Sequence, residues 1–193
     1  MAKQHYVQIF RRRRDGKTDY RKRRGLVQGK KPFLTVRVSN KYIYGQIMRP
    51  APAGDLTLCA CSSRNLSRQY GWKGSAKNVP AAYLTGYQLG KLAQEQKISG
   101  AHLYSGVSRF VHGSRIAAFL GGAREAGLEL HFDEKILPDE QRIKGDHIRA
   151  YATRLSEDNS SQYNVFFSQI LSRGLKPQDY PSHFAEIKAS IEK

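Results

Sequence analysis

Residues 11–24 read RRRRDGKTDYRKRR: nine of the fourteen positions are Lys or Arg, and the only acids are Asp15 and Asp19. Such a run cannot enter a core, because each charge resists leaving water and repels its neighbours. It commits one end of the 193-residue chain to the surface and to an anion. The imbalance is local. Residues 1–50 hold 15 Lys or Arg against 2 Asp, a net of +13, while residues 51–193 hold 18 against 14 acids, a net of +4. A basic arm on a nearly balanced body is the footprint of a polyanion binder.

Residues 1–31 show little apolar periodicity and are broken by Gly16, Gly25 and Gly29. They read as an extended arm with one helical turn near Asp19–Arg24, ordered mainly by its ligand. From Pro32 the pattern changes. In FLTVRV (33–38), Leu34, Val36 and Val38 alternate with Phe33, Thr35 and Arg37. KYIYGQI (41–47) follows after Ser39-Asn40 and sets Ile43, Gly45 and Ile47 on one face, which predicts a hairpin. Its second face carries Phe33 and Arg37 beside Tyr42 and Tyr44. Two readings stand for it: rings covered by a helix, or ring and guanidinium planes offered to bases.

LTLCAC (56–61) is a third strand, and 62–80 reads as a long polar connection holding Tyr70, Trp72, Lys73 and Lys77. Asn78 caps a helix from Pro80 to Gln96, whose small stripe of Ala82, Gly86 and Gly90 is assigned to close packing on a sheet. ISGAHLYS (98–105) is a fourth strand. Ser114 caps a second helix, with Ile116, Phe119, Leu120 and Ala123 as its apolar stripe and Gly127 closing it, and LELHF (128–132) is a fifth strand. The expected fold class is therefore α/β, a three-layer mixed β-sheet with helices. Three units follow: a basic arm at 1–31, the α/β core at 32–132 and a helical C-terminal extension at 133–193. In the extension, Ile148, Tyr151, Ala152 and Leu155 form one stripe and Phe184, Ile187 and Ile191 another, too thin to fold alone.

An α/β sheet invites an enzyme reading, and the residues argue against one. No G-x-G-x-x-G follows a strand, GLVQGKK (25–31) misses the phosphate-loop spacing, and GVSRF (106–110) lacks the second Gly of a nucleophile elbow. The five expected strands contain a single acid, Glu129, too few for a metal-dependent nuclease. Cys59 and Cys61 point to one strand face and read as small core residues in a reducing compartment. No cofactor and no metal site is expected. No apolar run approaches a membrane span, and the expected location is the cytosol.

Seven stretches taken in series, RRRRDGKTDYRKR (11–23), VRVSNKYIYGQI (36–47), GDLTLCACSS (54–63), YGW (70–72), NVPAAYLTGYQLG (78–90), GSRIAAFLGGAREAGL (113–128) and RIKGDHIRAYA (142–152), resemble the archaeal form of a large-subunit ribosomal protein family. That family binds 5S rRNA and is called L-eighteen in archaea and bacteria, L-five in eukaryotes. The sequence departs from it at Tyr104-Ser105-Gly106, where relatives have Asp-x-Gly, and at 157–164 (EDNSSQYN), which has no counterpart. The resemblance implies a non-catalytic role: binding 5S rRNA and holding it against 23S rRNA in the central protuberance. It implies one copy per ribosome and neighbouring ribosomal proteins as further partners. It also implies a sheet like the core of ribonuclease H without its catalytic carboxylates.

On that reading, Arg11, Arg12, Arg13, Arg14, Lys17, Thr18, Arg21, Lys22, Arg23, Arg24 and Lys30 supply phosphate and groove contacts, and Tyr20 stacks on a base. Arg37 and the Ser39-Asn40-Lys41 turn reach a groove edge. Trp72, Lys73 and Lys77 add a second contact. Against these stand Tyr20 packing on the core, Asn40 satisfying its own turn, and the group around Trp72 packing rather than binding. The competing function is non-specific polyanion binding by the arm, to other RNA or to an anionic membrane surface.

Overall fold

The computed structural model describes residues 7–51 and 54–192; the first six residues of the arm and the centre of the loop at 50–55 lie outside the described residues. The arm is more helical than its composition suggests. Helix α1 spans Arg11–Arg14 and α2 spans Tyr20–Gln28. Asp19 explains the second start, because its Oδ1 accepts from the backbone N–H of Arg21 at 3.0 Å and of Lys22 at 3.2 Å. Order in this segment therefore has a local cause besides any ligand.

The hairpin forms as expected, with β1 at Phe33–Val38 and β2 at Ile43–Arg49, antiparallel with Thr35 opposite Gln46 and Arg37 opposite Tyr44. Strand β3, Leu56–Ser62, pairs with β2 across a bulge at Ile47/Met48. Helix α3 (Ser63–Gln69) occupies part of what reads as a polar connection. Ser62 caps it, and Leu66 anchors it in the core. Helix α4 runs over Val79–Glu95 and carries the chain across the sheet to β4, His102–Leu103, which lies parallel to β1. The sheet order is β3-β2-β1-β4. Helix α5, Arg115–Glu125, follows with Ser114 accepting from Ala117 N–H.

Two expected strands are shorter than their sequences imply. Of 98–105 only two residues ladder with β1, and 128–132 is reduced to a parallel bridge between Gly100 and Glu129. Gly100, with no side chain, lies so close to Glu129 that an added Cβ would sit 2.9 Å from its carbonyl oxygen. Each run is apolar enough for a strand but has a backbone neighbour over only part of its length.

Both long helices lie on one face of the sheet. Gly45 of β2 is the point of contact: an added Cβ there would strike the Phe119 ring of α5 and come within 3.2 Å of Leu89 of α4. The small stripe of α4 has a different partner from the one its sequence suggests. Gly86 abuts the Phe119 carbonyl, Gly90 abuts Ala123 and Ala126, and Gly122 of α5 abuts the Tyr83 carbonyl. The glycines let α4 approach α5 rather than the sheet. Leu34, Ile43, Ile47, Leu89, Phe119 and Leu120 fill the space between sheet and helices, with Cys59 and Cys61 buried as free thiols among them.

The remaining chain forms a further layer on the outside of α4. It contains α6 (Glu140–Lys144), α7 (Asp146–Asp158), α8 (Ser160–Phe166), α9 (Ser168–Leu171) and α10 (Tyr180–Glu192). Phe184, Ile187 and Ile191 of α10 pack with Leu84 and Tyr87 of α4 and with Ala126. The α/β class holds, and the layers stack as sheet, helices, helices. This order leaves the far face of the sheet to the arm.

Candidate nucleic-acid interface

The sheet face opposite α4 and α5 carries the alternate residues of the hairpin. Arg37 and Tyr44 are exposed there, Gln46 and Met48 half-buried, and Phe33 and Thr35 buried. The face divides into a buried and an exposed part. Phe33 is consumed by packing, meeting the Tyr104 ring edge-on at 5.6 Å, while Arg37 and Tyr44 stay open to a partner.

The arm closes this face on one side and leaves a groove of about 1180 Å³. Arg12, Lys17, Thr18, Tyr20, Arg23 and Arg37 line it, so six of the sequence-identified residues converge. Arg23 holds the arm in place. Its Nη1 donates to Oδ2 of Asp55 at 2.8 Å and its Nη2 to Oδ1, a bidentate grip that raises the Arg23 pKa against the opposing effect of burial. Arg12 Nε donates to Thr18 Oγ1 at 2.9 Å, which folds the arm back at Lys17–Asp19 and buries Thr18.

Most of the arm's charge remains unspent. Among the described residues, only Lys17 (to Asp15, 3.4 Å) and Arg23 (to Asp55) of the arm cations form ion pairs. Arg11, Arg13, Arg14, Arg21, Lys22, Arg24 and Lys30 are all exposed. Tyr20 is half-buried, its ring tilted against that of Phe10 at 5.0 Å, so one side of it is already in contact. At the hairpin tip, the Ser39 hydroxyl donates to the Tyr42 carbonyl and accepts from Tyr42 N–H, both at 2.9 Å. It is spent on the turn, whereas Asn40 and Lys41 are exposed beside Arg37.

Trp72 belongs to the fold. It is 1% exposed, stacks on His183 at 5.1 Å and meets Tyr180 edge-on at 5.3 Å, and its indole N–H donates to the Ser75 carbonyl. Its ring has no free face for a base. The whole 70–78 loop is wired to the C-terminal helices. His183 Nε2 accepts from Lys73 N–H at 3.1 Å, and Arg173 donates to the Gly74 carbonyl at 2.8 Å. Asn78 accepts from Ala81 N–H as a helix cap and donates to the Tyr180 hydroxyl at 2.6 Å. Burial pushes the Tyr180 phenol up to about 12 and holds His183 below its ordinary value. Lys73 and Lys77 remain exposed but lie outside the groove lining.

Three groove features escaped the sequence reading. Asp55 looks like loop composition until Arg23 is seen on it. Tyr104 and Ser105 form the opposite wall although they were read as the end of a strand. Thr35 faces the groove side, is 7% exposed, and its hydroxyl has no hydrogen-bond partner. Such a group costs roughly 1–3 kcal/mol when left unmade in the interior. The alternation of β1 placed Thr35 on this face; what it could not show was the missing partner. Among the described residues no group of three or more His, Cys, Asp or Glu could hold a metal ion, and no helix is long and apolar enough to cross a membrane.

An open groove with cations on its arm side and a bank of unpaired arginines beside it, built on a sheet with one short and poorly laddered edge, has the chemistry of a phosphate-rich partner's docking site. Comparison with known proteins narrows that class. Residues 4–105 match the family model described as ribosomal large subunit proteins 60S L5 and 50S L18. The large ribosomal subunit protein uL18 of Caldivirga maquilingensis is 45% identical over 186 residues, covering 96% of this chain and 90% of that protein. The uL18 proteins of Aeropyrum pernix and Ignicoccus hospitalis are 43% and 42% identical, covering 95% and 94% of this chain and 86% and 88% of theirs. The chain belongs to this family: it is a structural protein of the large ribosomal subunit, of the archaeal type, and not an enzyme. Its place is the ribosome in the cytoplasm.

Proposed function

We propose that this chain binds 5S rRNA through the arm and the open sheet face, and anchors it to 23S rRNA in the central protuberance as a single copy. The observation that carries the reading is the convergence of Arg12, Lys17, Tyr20, Arg23 and Arg37 on one groove beside a bank of unpaired arginines. The two parts have different duties. Exposed arm cations neutralise phosphates, which gives affinity without sequence preference. The folded face offers fixed hydrogen-bonding groups and ring planes, which discriminate shape and unstacked bases. Arg11–Arg14, Arg21, Lys22, Arg24 and Lys30 act in the first way; Arg37, Asn40, Lys41 and the free side of Tyr20 in the second. Lys73 and Lys77, on the loop held by α10, face a different part of the assembly, either 23S rRNA or a neighbouring protein.

The test is a competition titration of labelled 5S rRNA against tRNA and an unrelated hairpin at about 200 mM salt, where non-specific phosphate binding is weak. A preference for 5S rRNA of about a hundredfold or more supports the proposal, since specific nucleic-acid complexes commonly exceed non-specific ones by at least that factor. Equal affinity for all three RNAs returns the chain to the non-specific reading, in which the arm grips any polyanion.

A further inference from the structure

We infer that the groove between the arm and the open sheet face takes an unpaired nucleotide splayed out of the RNA, with Thr35 Oγ1 as the group that hydrogen-bonds to it. The inference rests on the RNA-binding reading above and adds which part of the RNA enters, and what meets it.

The first support is the contrast between the rim and the floor. Arg12, Lys17 and Arg23 stand at the arm side, where a ribose–phosphate backbone would pass. The centre of the floor is uncharged: Thr35 and Gln46 lie side by side in the hairpin register, flanked by Phe33 and Met48, while Arg37 follows on the same face of β1 and Asp55, held by Arg23, lines the groove beyond them. A phosphate gains nothing from that neutral centre, whereas a base or a ribose presents the matching mixture of ring face and neutral donors and acceptors. Tyr20 on one wall and Tyr104 on the other supply planar surfaces. The groove's volume of about 1180 Å³ accommodates a nucleotide between the arm on one side and Tyr104–Ser108 on the other.

The second support is independent of the groove's shape. Among the described residues the other buried hydroxyls are all used. Ser63 accepts from Ile43 N–H at 2.9 Å, Thr85 donates to the Ala81 carbonyl at 2.6 Å, and Thr18 accepts from Arg12. Thr35 alone among the described buried hydroxyls has no partner, and it sits in the groove wall. A hydroxyl both donates and accepts, so it can meet a 2′-hydroxyl or a base edge without a charge to neutralise. It is shielded from solvent in the free chain, so part of the groove lining shifts to admit the nucleotide. The arm's helices bury no residues, and Thr18 and the Arg23–Asp55 ion pair are what hold that side of the lining.

The experiment compares full-length wild type, T35V and T35S on two probes, 5S rRNA and a fully paired RNA duplex of similar length, with thermal unfolding of each protein in parallel. T35V keeps the β-branched shape and removes only the hydroxyl; T35S restores it. The expected result is a loss of about 3- to 10-fold in 5S rRNA affinity for T35V, the size of one neutral hydrogen bond, with near-wild-type binding by T35S. Duplex binding stays unchanged for all three, and the midpoint of T35V is equal to wild type or higher. Wild-type affinity of T35V for 5S rRNA overturns the inference while leaving the RNA-binding reading intact, as does an equal loss on both probes. A wild-type protein that holds the duplex as tightly as 5S rRNA removes the RNA-specific reading itself, and the inference with it.

Discussion

The two ends of this chain are additions to the same sheet, and they are built in opposite ways. Residues 11–31 carry 11 Lys or Arg against 2 Asp, and their helices bury no residue. Residues 133–193 carry 9 Lys or Arg against 10 acids, and α10 alone buries Tyr180, His183, Phe184, Ile187 and Ile191. About half of the charges in the tail are answered by ion pairs within the chain, as in Lys144–Glu140 and Lys188–Glu125. Charges in the arm mostly are not. The tail therefore acts on the body, fixing the 70–78 loop and the outer side of α4, while the arm keeps its free energy for a partner. Substitutions in the tail should be read in stability, and substitutions in the arm in affinity.

The largest effect expected on the stability side is at the helix pair beneath the tail. Gly86→Leu puts a side chain into the Phe119 carbonyl, backbone that cannot yield, so soluble folded protein should be lost. A protein of wild-type thermal midpoint would show that α4 can lift off α5. Next comes Trp72→Ala, which empties the site between His183 and Tyr180 and should cost about 3–5 kcal/mol in denaturant unfolding. Its affinity for 5S rRNA, measured where the protein is folded, should stay within about 2-fold of wild type, less than one hydrogen bond's worth. A large affinity loss in folded Trp72→Ala protein would break the division between the two ends, because it would make the tail-held loop part of the grip.

A smaller effect comes from pH. His183 is held neutral by burial, against the pull of Glu186, and Lys73 lies nearby. Its folded pKa lies below its ordinary value of 6.5, so the unfolded chain takes up the proton first. The sign follows: its contribution is whole above about 6.5 and is lost as pH falls from there through the folded value. Protonation also removes the acceptor that Lys73 N–H uses. The melting midpoint should decline on acidification below that point, and His183→Gln should flatten the decline. The smallest effect is at the arm's latch. Asp55→Asn should change stability by no more than about 1 kcal/mol, as for other ion pairs with solvent access, while freeing Arg23 for RNA.

How much of this was written in the sequence differs between regions for physical reasons. The hairpin and both capped helices were legible, because alternation in 33–47 and the caps Asn78 and Ser114 are local signals. The arm's exposure was legible from its charge, and so was a helical turn after Asp19; the run of α2 on to Gln28 and the turn at Arg11–Arg14 were not. Arginine has good helix propensity, yet repulsion within the run argues the other way until Asp19 is seen as the cap. Trp72 stayed open between packing and contact because its partners, Tyr180 and His183, lie more than a hundred residues away. No local pattern announces a ring stacked across that distance. Gly86 was placed correctly as a close approach but against the wrong neighbour, since a small stripe does not say whether a sheet or a helix faces it. The groove needed three segments at once, so only its cationic side could be read in advance.

In the proposed division of labour the arm supplies the phosphate grip and the folded face supplies discrimination. The most direct test replaces Arg11, Arg12, Arg13 and Arg14 together by Gln and follows 5S rRNA affinity from about 50 to 200 mM salt beside the wild type. The expected slope of log affinity against log salt is shallower by about 3, the release of counterions from roughly four phosphates, with the preference for 5S rRNA over tRNA preserved. An unchanged slope would place the phosphate contacts elsewhere, and a lost preference would mean that the arm, not the sheet face, tells one RNA from another.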